Sequence, residues 1–86
     1  ISLNIKMPMK LVAIASHTSP VNVVKLNNDG DLLFSASNDK NVIMYYAYSG
    51  ERIGNFRCSG AVRSIDVSGD SKYLLTTTLN GYIELW

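Results

Sequence analysis

The chain has 86 residues, eight basic and seven acidic side chains, a formal charge of +1 and one cysteine. That length allows one small domain with a thin core, burying about 60–65% of its unfolded surface. No run of either charge sign occurs, which argues against a sequence-independent nucleic-acid clamp, and the lone Cys58 excludes an intrachain disulfide framework.

In chain order, "MKLVAIAS" sets Lys10 before small residues at Ala13–Ala15. Its apolar stretch, Leu11–Ala15, is shorter than the roughly 7–15 residues of a signal-peptide core. "VNVVKL" (21–26) is rich in β-branched residues and predicts a strand, closed by the turn cluster "NNDGD" (27–31). "LLFSAS" (32–37) is the next strand and ends in the polar turn Asn38–Asn41. "VIMYY" (42–46) follows, then "AYSGE" (47–51), where Gly50 supplies a positive φ. "RIGNF" (52–56) is a weaker fourth strand. "AVRSIDV", "YLLTTT" and "YIELW" then repeat the series, separated by "SGDSK" and "LNG". No apolar stripe of helical period lasts three turns, so no helix is predicted. The longest apolar run, Val42–Tyr48, falls far below the ~20 residues of a spanning helix, and no membrane partner is expected.

Shifting the chain against itself by 41 positions gives a gapless correspondence. Val21 falls on Val62, Val24 on Ile65, Leu26 on Val67, Asp29 on Asp70 and Leu33 on Leu74. Ser35, Ala36 and Ser37 fall on Thr76, Thr77 and Thr78; Val42 falls on Ile83, Met44 on Leu85 and Tyr45 on Trp86. Four short antiparallel strands in a unit of about 41 residues describe one blade of a β-propeller. The strand 42–46 is apolar at every position because neighbouring blades cover both of its faces. "VNVVKL" and "LLFSAS" carry the same expectation of two-sided burial.

His17, Asp39 and Tyr45 stand at the spacing of a WD40 repeat, in which a "GH" dipeptide is followed by an Asp and then a "WD". Here those dipeptides read "SH" at Ser16–His17 and "YY" at Tyr45–Tyr46. In the second copy Cys58 replaces the His, Asn80 replaces the Asp, and Trp86 stands where Trp is expected. "GDLLFSASNDK" (30–40), "SGERIGNF" (49–56) and "SGAVRSIDV" (59–67) in series resemble, within the WD40 family, the subunit-i family of eukaryotic translation initiation factor three.

The resemblance covers residues 9–86 and implies an all-β fold: a WD40 propeller fragment of about two four-stranded antiparallel blades from a seven-bladed ring. It divides the chain into an extension over 1–8, a ring-closing outer strand over 9–16, a first repeat over 17–56 and a truncated second repeat over 57–86. The chain opens on Ile1 and stops on Trp86, and is expected to be a piece of a longer polypeptide.

By the same resemblance His17, Ser35 (or Ser37, of equal parity), Asp39 and Tyr45 form a buried hydrogen-bonded tetrad. Cys58, Thr76, Asn80 and Trp86 form a degenerate second one. The physics agrees, since a buried carboxylate needs donors and imidazole and hydroxyl supply them. A Ser–His–Asp set is also the hydrolase constellation, but no nucleophile elbow or oxyanion loop accompanies it. Cys58 and His17 sit at equivalent points of adjacent blades, too far apart to act as nucleophile and base. One His and one Cys cannot complete a zinc site, and the scattered glycines form no phosphate loop, so neither cofactor nor metal is expected.

Asn38, Tyr48, Arg57, Arg63 and Tyr82 are the candidate partner surface, on loops or strand ends where propellers carry binding specificity. The resemblance implies a non-enzymatic, cytoplasmic scaffold. It docks with subunits b and g of the initiation factor and helps bring the complex to the small ribosomal subunit, without reading nucleic-acid sequence directly. A WD40 adaptor in receptor signalling or ubiquitin ligation is the alternative.

Overall fold

The β-branched and aromatic runs form strands joined by tight polar turns. The computed structural model describes Ile14 and residues 16–86. Apart from Ile14 and Ser16, the extension expected over 1–8 and the outer strand expected over 9–16 lie outside the described residues. Strands β1 (Val21–Leu26), β2 (Leu32–Ser37), β3 (Asn41–Tyr46) and β4 (Arg52–Arg57) make a four-stranded antiparallel sheet in chain order. Strands β5 (Val62–Val67), β6 (Leu74–Thr78) and β7 (Ile83–Leu85) make a three-stranded sheet of the same topology. The seven strands expected between residues 21 and 86 are present, and none of the described residues is helical.

The same irregularity recurs one repeat apart. A bulge falls between Val21 and Val23 in β1, and another between Val62 and Ser64 in β5. It leaves Asn22 and Arg63 outside the ladder pairing. The left-handed positions recur too: Gly30 (φ 75) matches Ser71 (φ 61), and Lys40 (φ 72) matches Gly81 (φ 95).

The sheets pack face to face. One face of the first sheet gives Phe34, Ala36 and Val42 to the core, and the second sheet gives Val62, Ile65 and Leu74, with Cys58 beside them. Polar bonds stitch the inner strands and their turns across this interface. The Asn22 amide donates to the Val62 carbonyl at 2.8 Å, Lys25 lies 3.4 Å from Asp66, and the Asn27 amide donates to the Ser71 hydroxyl at 3.0 Å.

β3 has the two-sided burial expected of it, with Val42 and Ile43 on opposite faces at 0% and 1% exposure. β1 does not. Val21, Val24 and Leu26 are 48%, 59% and 52% exposed, and only Val23 packs against the core. The reason is geometric: β1 is an edge strand, and residues 16–20 roof only part of its outer face. An open hollow of about 430 Å³ lies beside that segment, walled by Val21, Val24 and Leu33.

Candidate functional site

The outer face of the first sheet presents Ser35, Ser37 and Tyr45, all buried. Residues 16–19 are fastened over them by side chains from β2 and the turn after it. His17 Nδ1 lies 2.9 Å from one Asp39 carboxylate oxygen and 3.2 Å from the other. Its Nε2 lies 2.7 Å from the Ser35 hydroxyl, and the Ser35 and Tyr45 hydroxyls are bonded at 3.3 Å. Asp39 also accepts the backbone N–H of Thr18 and of Asn41, each at 3.0 Å. His17, Ser35, Asp39 and Tyr45 thus form one connected chain, with the Tyr45 hydroxyl on the strand Ser. Ser37 takes a separate job: its hydroxyl donates to the Ser19 carbonyl and accepts the Asp39 amide.

Burial opposes ionisation of Asp39, but the hydrogen bonds from His17, Thr18 and Asn41 outweigh it and hold the carboxyl below its usual range. The His17 and Asp39 side chains are only 5% and 7% exposed. The spacing is that of a charge-relay triad. Ser35, however, lies inside β2, opposite Val24 on one side and Ile43 on the other, so its neighbouring amides serve the ladder. Among the described residues no free N–H pair flanks the hydroxyl as an oxyanion hole would. The bonds tie residues 16–19 to β2 and the turn after it.

The second repeat divides the same task between two clusters. Cys58 donates from Sγ to the Thr76 hydroxyl at 3.7 Å, and the Trp86 indole N–H donates to that hydroxyl at 3.2 Å. Asn80, the counterpart of Asp39, is bonded to neither Cys58 nor Trp86. It accepts from the Thr78 hydroxyl at 2.6 Å and donates to the Ser59 carbonyl at 3.3 Å. Burial pushes the Cys58 thiol up; the Thr76 hydroxyl partly offsets this, and the nearby Glu84 carboxylate adds to it. A protonated, buried thiol of this kind is a poor nucleophile.

Glu84 escaped the sequence reading. Its carboxylate accepts both the backbone N–H and the hydroxyl of Ser59, each at 3.0 Å. Ser59 is the repeat counterpart of Thr18, whose N–H goes to Asp39. The carboxylate that anchors the loop has therefore moved from the turn to the adjacent strand. The signal was present in the 41-residue register, which sets Glu84 on the fully apolar Ile43. Gly60 fits this rearrangement, because a Cβ there would collide with the Asn80 side chain.

The candidate partner residues do not form one patch. Residues 16–20, 38–40, 57–60 and 79–81 share a rim, tied by bonds from Asn38 N to Pro20 O, Cys58 N to Lys40 O and Asn80 to Ser59 O. Asn38, Arg57 and Tyr82 lie there, and Arg63 sits just below in the β5 bulge. Tyr48, 78% exposed and packed on Tyr46, belongs to the opposite rim with residues 27–31 and 68–72. Asn38 is engaged internally by the Asn22 amide at 2.7 Å.

The profile of the WD domain, G-beta repeat family matches residues 9–45 and 50–86. The second match takes β4 of the first sheet together with β5–β7. Eukaryotic translation initiation factor 3 subunit I of Dictyostelium discoideum is 49% identical over 70 residues, spanning 81% of this chain and 21% of that protein. The protein of the same name from Saccharomyces cerevisiae is 39% identical over 79 residues, spanning 91% of this chain and 23% of that one. The chain thus spans about a fifth to a quarter of the length of the curated relatives it matches. Among solved structures, the RRP9 WD40 repeats superpose with a TM-score of 0.79 at 23% identity, over 84% of this chain and 24% of theirs.

Proposed function

This chain belongs to the WD domain, G-beta repeat family, and on that premise we propose that it forms two blades of a non-enzymatic scaffold subunit of eukaryotic translation initiation factor three. The carrying observation is a contrast in identity. A WD40 propeller structure of matching fold shares 23% of positions with this chain, whereas the initiation-factor relative shares 49%. Similarity of fold alone leaves that excess unexplained.

On this reading the repeats divide at residue 57, and further blades complete the ring. Residues 9–16 would then supply the strand that closes it against the last blade. The exposed face of the second sheet favours a neighbour of the same kind. Phe34 is 4% exposed where the second sheet meets it, while its repeat counterpart Leu75 is 40% exposed. The Ser35–His17–Asp39 chain is a structural fastening, and so is Thr76 with Cys58 and Trp86. Subunits b and g of the factor are the proposed partners, in the cytoplasm, with the small ribosomal subunit reached through the assembly.

Affinity purification of the intact tagged protein tests this directly. Co-purification with subunits b and g, and co-sedimentation with the small ribosomal subunit, is the expected result. Stable residence in a receptor or ubiquitin-ligase assembly instead would refute the assignment.

A further inference from the structure

The turn that follows β6 carries the chain's only Asn–Gly dipeptide, Asn80–Gly81. In such a pair the backbone nitrogen of the second residue can close a cyclic imide on the carboxamide of the first. Glycine favours this, because it sets no side chain in the path and leaves the backbone free to turn. Access is open here: Asn80 is exposed, and a Cβ built on Gly81 would meet no atom within 4 Å.

The folded turn restrains both reactants. The Gly81 N–H, whose nitrogen is the nucleophile, donates to the Thr78 carbonyl at 3.2 Å. The Asn80 carboxamide is held at both ends: its oxygen accepts the Thr78 hydroxyl at 2.6 Å, and its nitrogen donates to the Ser59 carbonyl at 3.3 Å. The Thr78 hydroxyl in turn accepts the Tyr82 N–H at 3.0 Å. Attack on the carboxamide requires this turn to open.

The surroundings also decide what a carboxylate at position 80 would meet. In the first repeat the equivalent Asp39 has His17 and the Thr18 N–H as donors. Here Cys58 stands in for the His and bonds to Thr76, and the Ser59 N–H is already taken by Glu84. Exchanging the amide for an acid removes the donor to the Ser59 carbonyl and sets a negative charge against that oxygen. It also brings a second carboxylate to the residue that Glu84 holds.

We infer that Asn80 is a site of spontaneous deamidation, gated by opening of the Thr78–Gly81 turn, and that its conversion frees Ser59 from that turn. The Gly81 nitrogen bonds to Asn80 Cγ, the Cγ–Nδ2 bond breaks, and ammonia leaves with the Gly81 proton. Water then opens the imide at either carbonyl, giving aspartate or isoaspartate. Neither product restores the bond to the Ser59 carbonyl, and isoaspartate also lengthens the backbone of the turn, so the change does not reverse by refolding.

Peptide mapping by mass spectrometry tests the gate on the intact protein, incubated in mildly alkaline buffer with and without urea. In urea Asn80 is expected to convert faster than any other asparagine, to a mixture in which an isoaspartyl methyltransferase labels the isoaspartate. In the folded protein conversion should be about tenfold slower, because the turn must first open. Thr78→Val, held well below its melting temperature, should narrow that ratio by raising the folded rate alone. Asn80→Asp should melt below wild type and exchange its Leu79 amide faster, since that N–H is bonded to the Ala61 carbonyl at 2.9 Å beside Ser59. Equal rates with and without urea, an unchanged ratio in Thr78→Val, or an Asn80→Asp variant that melts at or above wild type would each overturn the proposal.

Discussion

Asp39→Ala should destabilise the intact protein by about 2–4 kcal/mol at neutral pH. The substitution deletes the acceptor of three donors: His17 Nδ1–H, Thr18 N–H and Asn41 N–H. Thr18 is exposed, so water replaces its bond at little cost. Asn41 is half-buried, and losing its bond costs about 0.5–1 kcal/mol. The large component is His17, whose side chain is 5% exposed and whose N–H loses its partner, at about 1–3 kcal/mol. Burial raises the Asp39 pKa, but the hydrogen bonds prevail, and the folded value lies below the ordinary 3.8. The carboxylate's stabilisation is therefore complete above that ordinary value and is lost as pH falls through the depressed one. Urea denaturation of wild type and variant across a pH series should show midpoints well apart at neutral pH and a gap that narrows in acid. Equal midpoints at neutral pH would refute the reasoning, as would a gap that widens in acid.

Glu84→Ala should speed hydrogen exchange of the Ser59 amide several-fold at a stability loss of about 1 kcal/mol, because its acceptor is gone; unchanged exchange by NMR would deny Glu84 its anchoring role. Gly60→Ala should cost about 1 kcal/mol, because the Asn80 side chain must swing off its Thr78 and Ser59 bonds, and the same change should cost little in an Asn80→Gly background. Ser71→Gly should be close to neutral in thermal melts, since relief of the left-handed serine offsets the lost Asn27 contact, whereas Asn27→Ala should cost about 1–2 kcal/mol. A large loss in Ser71→Gly would mean the hydroxyl matters more than the backbone.

The strands were legible because period and turn chemistry agree along the chain. "VNVVKL" and "LLFSAS" became β1 and β2 with the bounds read from their residues, since Asn and Gly turns cut them off cleanly. The loop-holding residues of the first repeat were legible only through the resemblance to WD40 repeats, because the 41-residue register sets His17 on Cys58 and Asp39 on Asn80. Glu84 was marked only by its mismatch with Ile43 in that register, and a single mismatch does not tell what the carboxylate holds. The exposure of β1 was equally hidden. Burial of an edge strand depends on what roofs it, and that is a tertiary fact. Tyr48 stands on the rim opposite Arg57 and Tyr82, because successive loops alternate between rims as the chain reverses direction.

Lys25 and Asp66 occupy the same position in successive repeats, with opposite charge, and meet across the inner strands at 3.4 Å. At 46% and 68% exposure the pair adds little to stability. Its weight falls on the wrong assemblies. A chain of look-alike blades risks stacking a blade on a copy of itself from another molecule, as in domain swapping. Stacking first on first would oppose two lysines here, and second on second two aspartates. A first blade stacked on a second is spared that repulsion, so this weak ion pair favours unlike over like blades as neighbours.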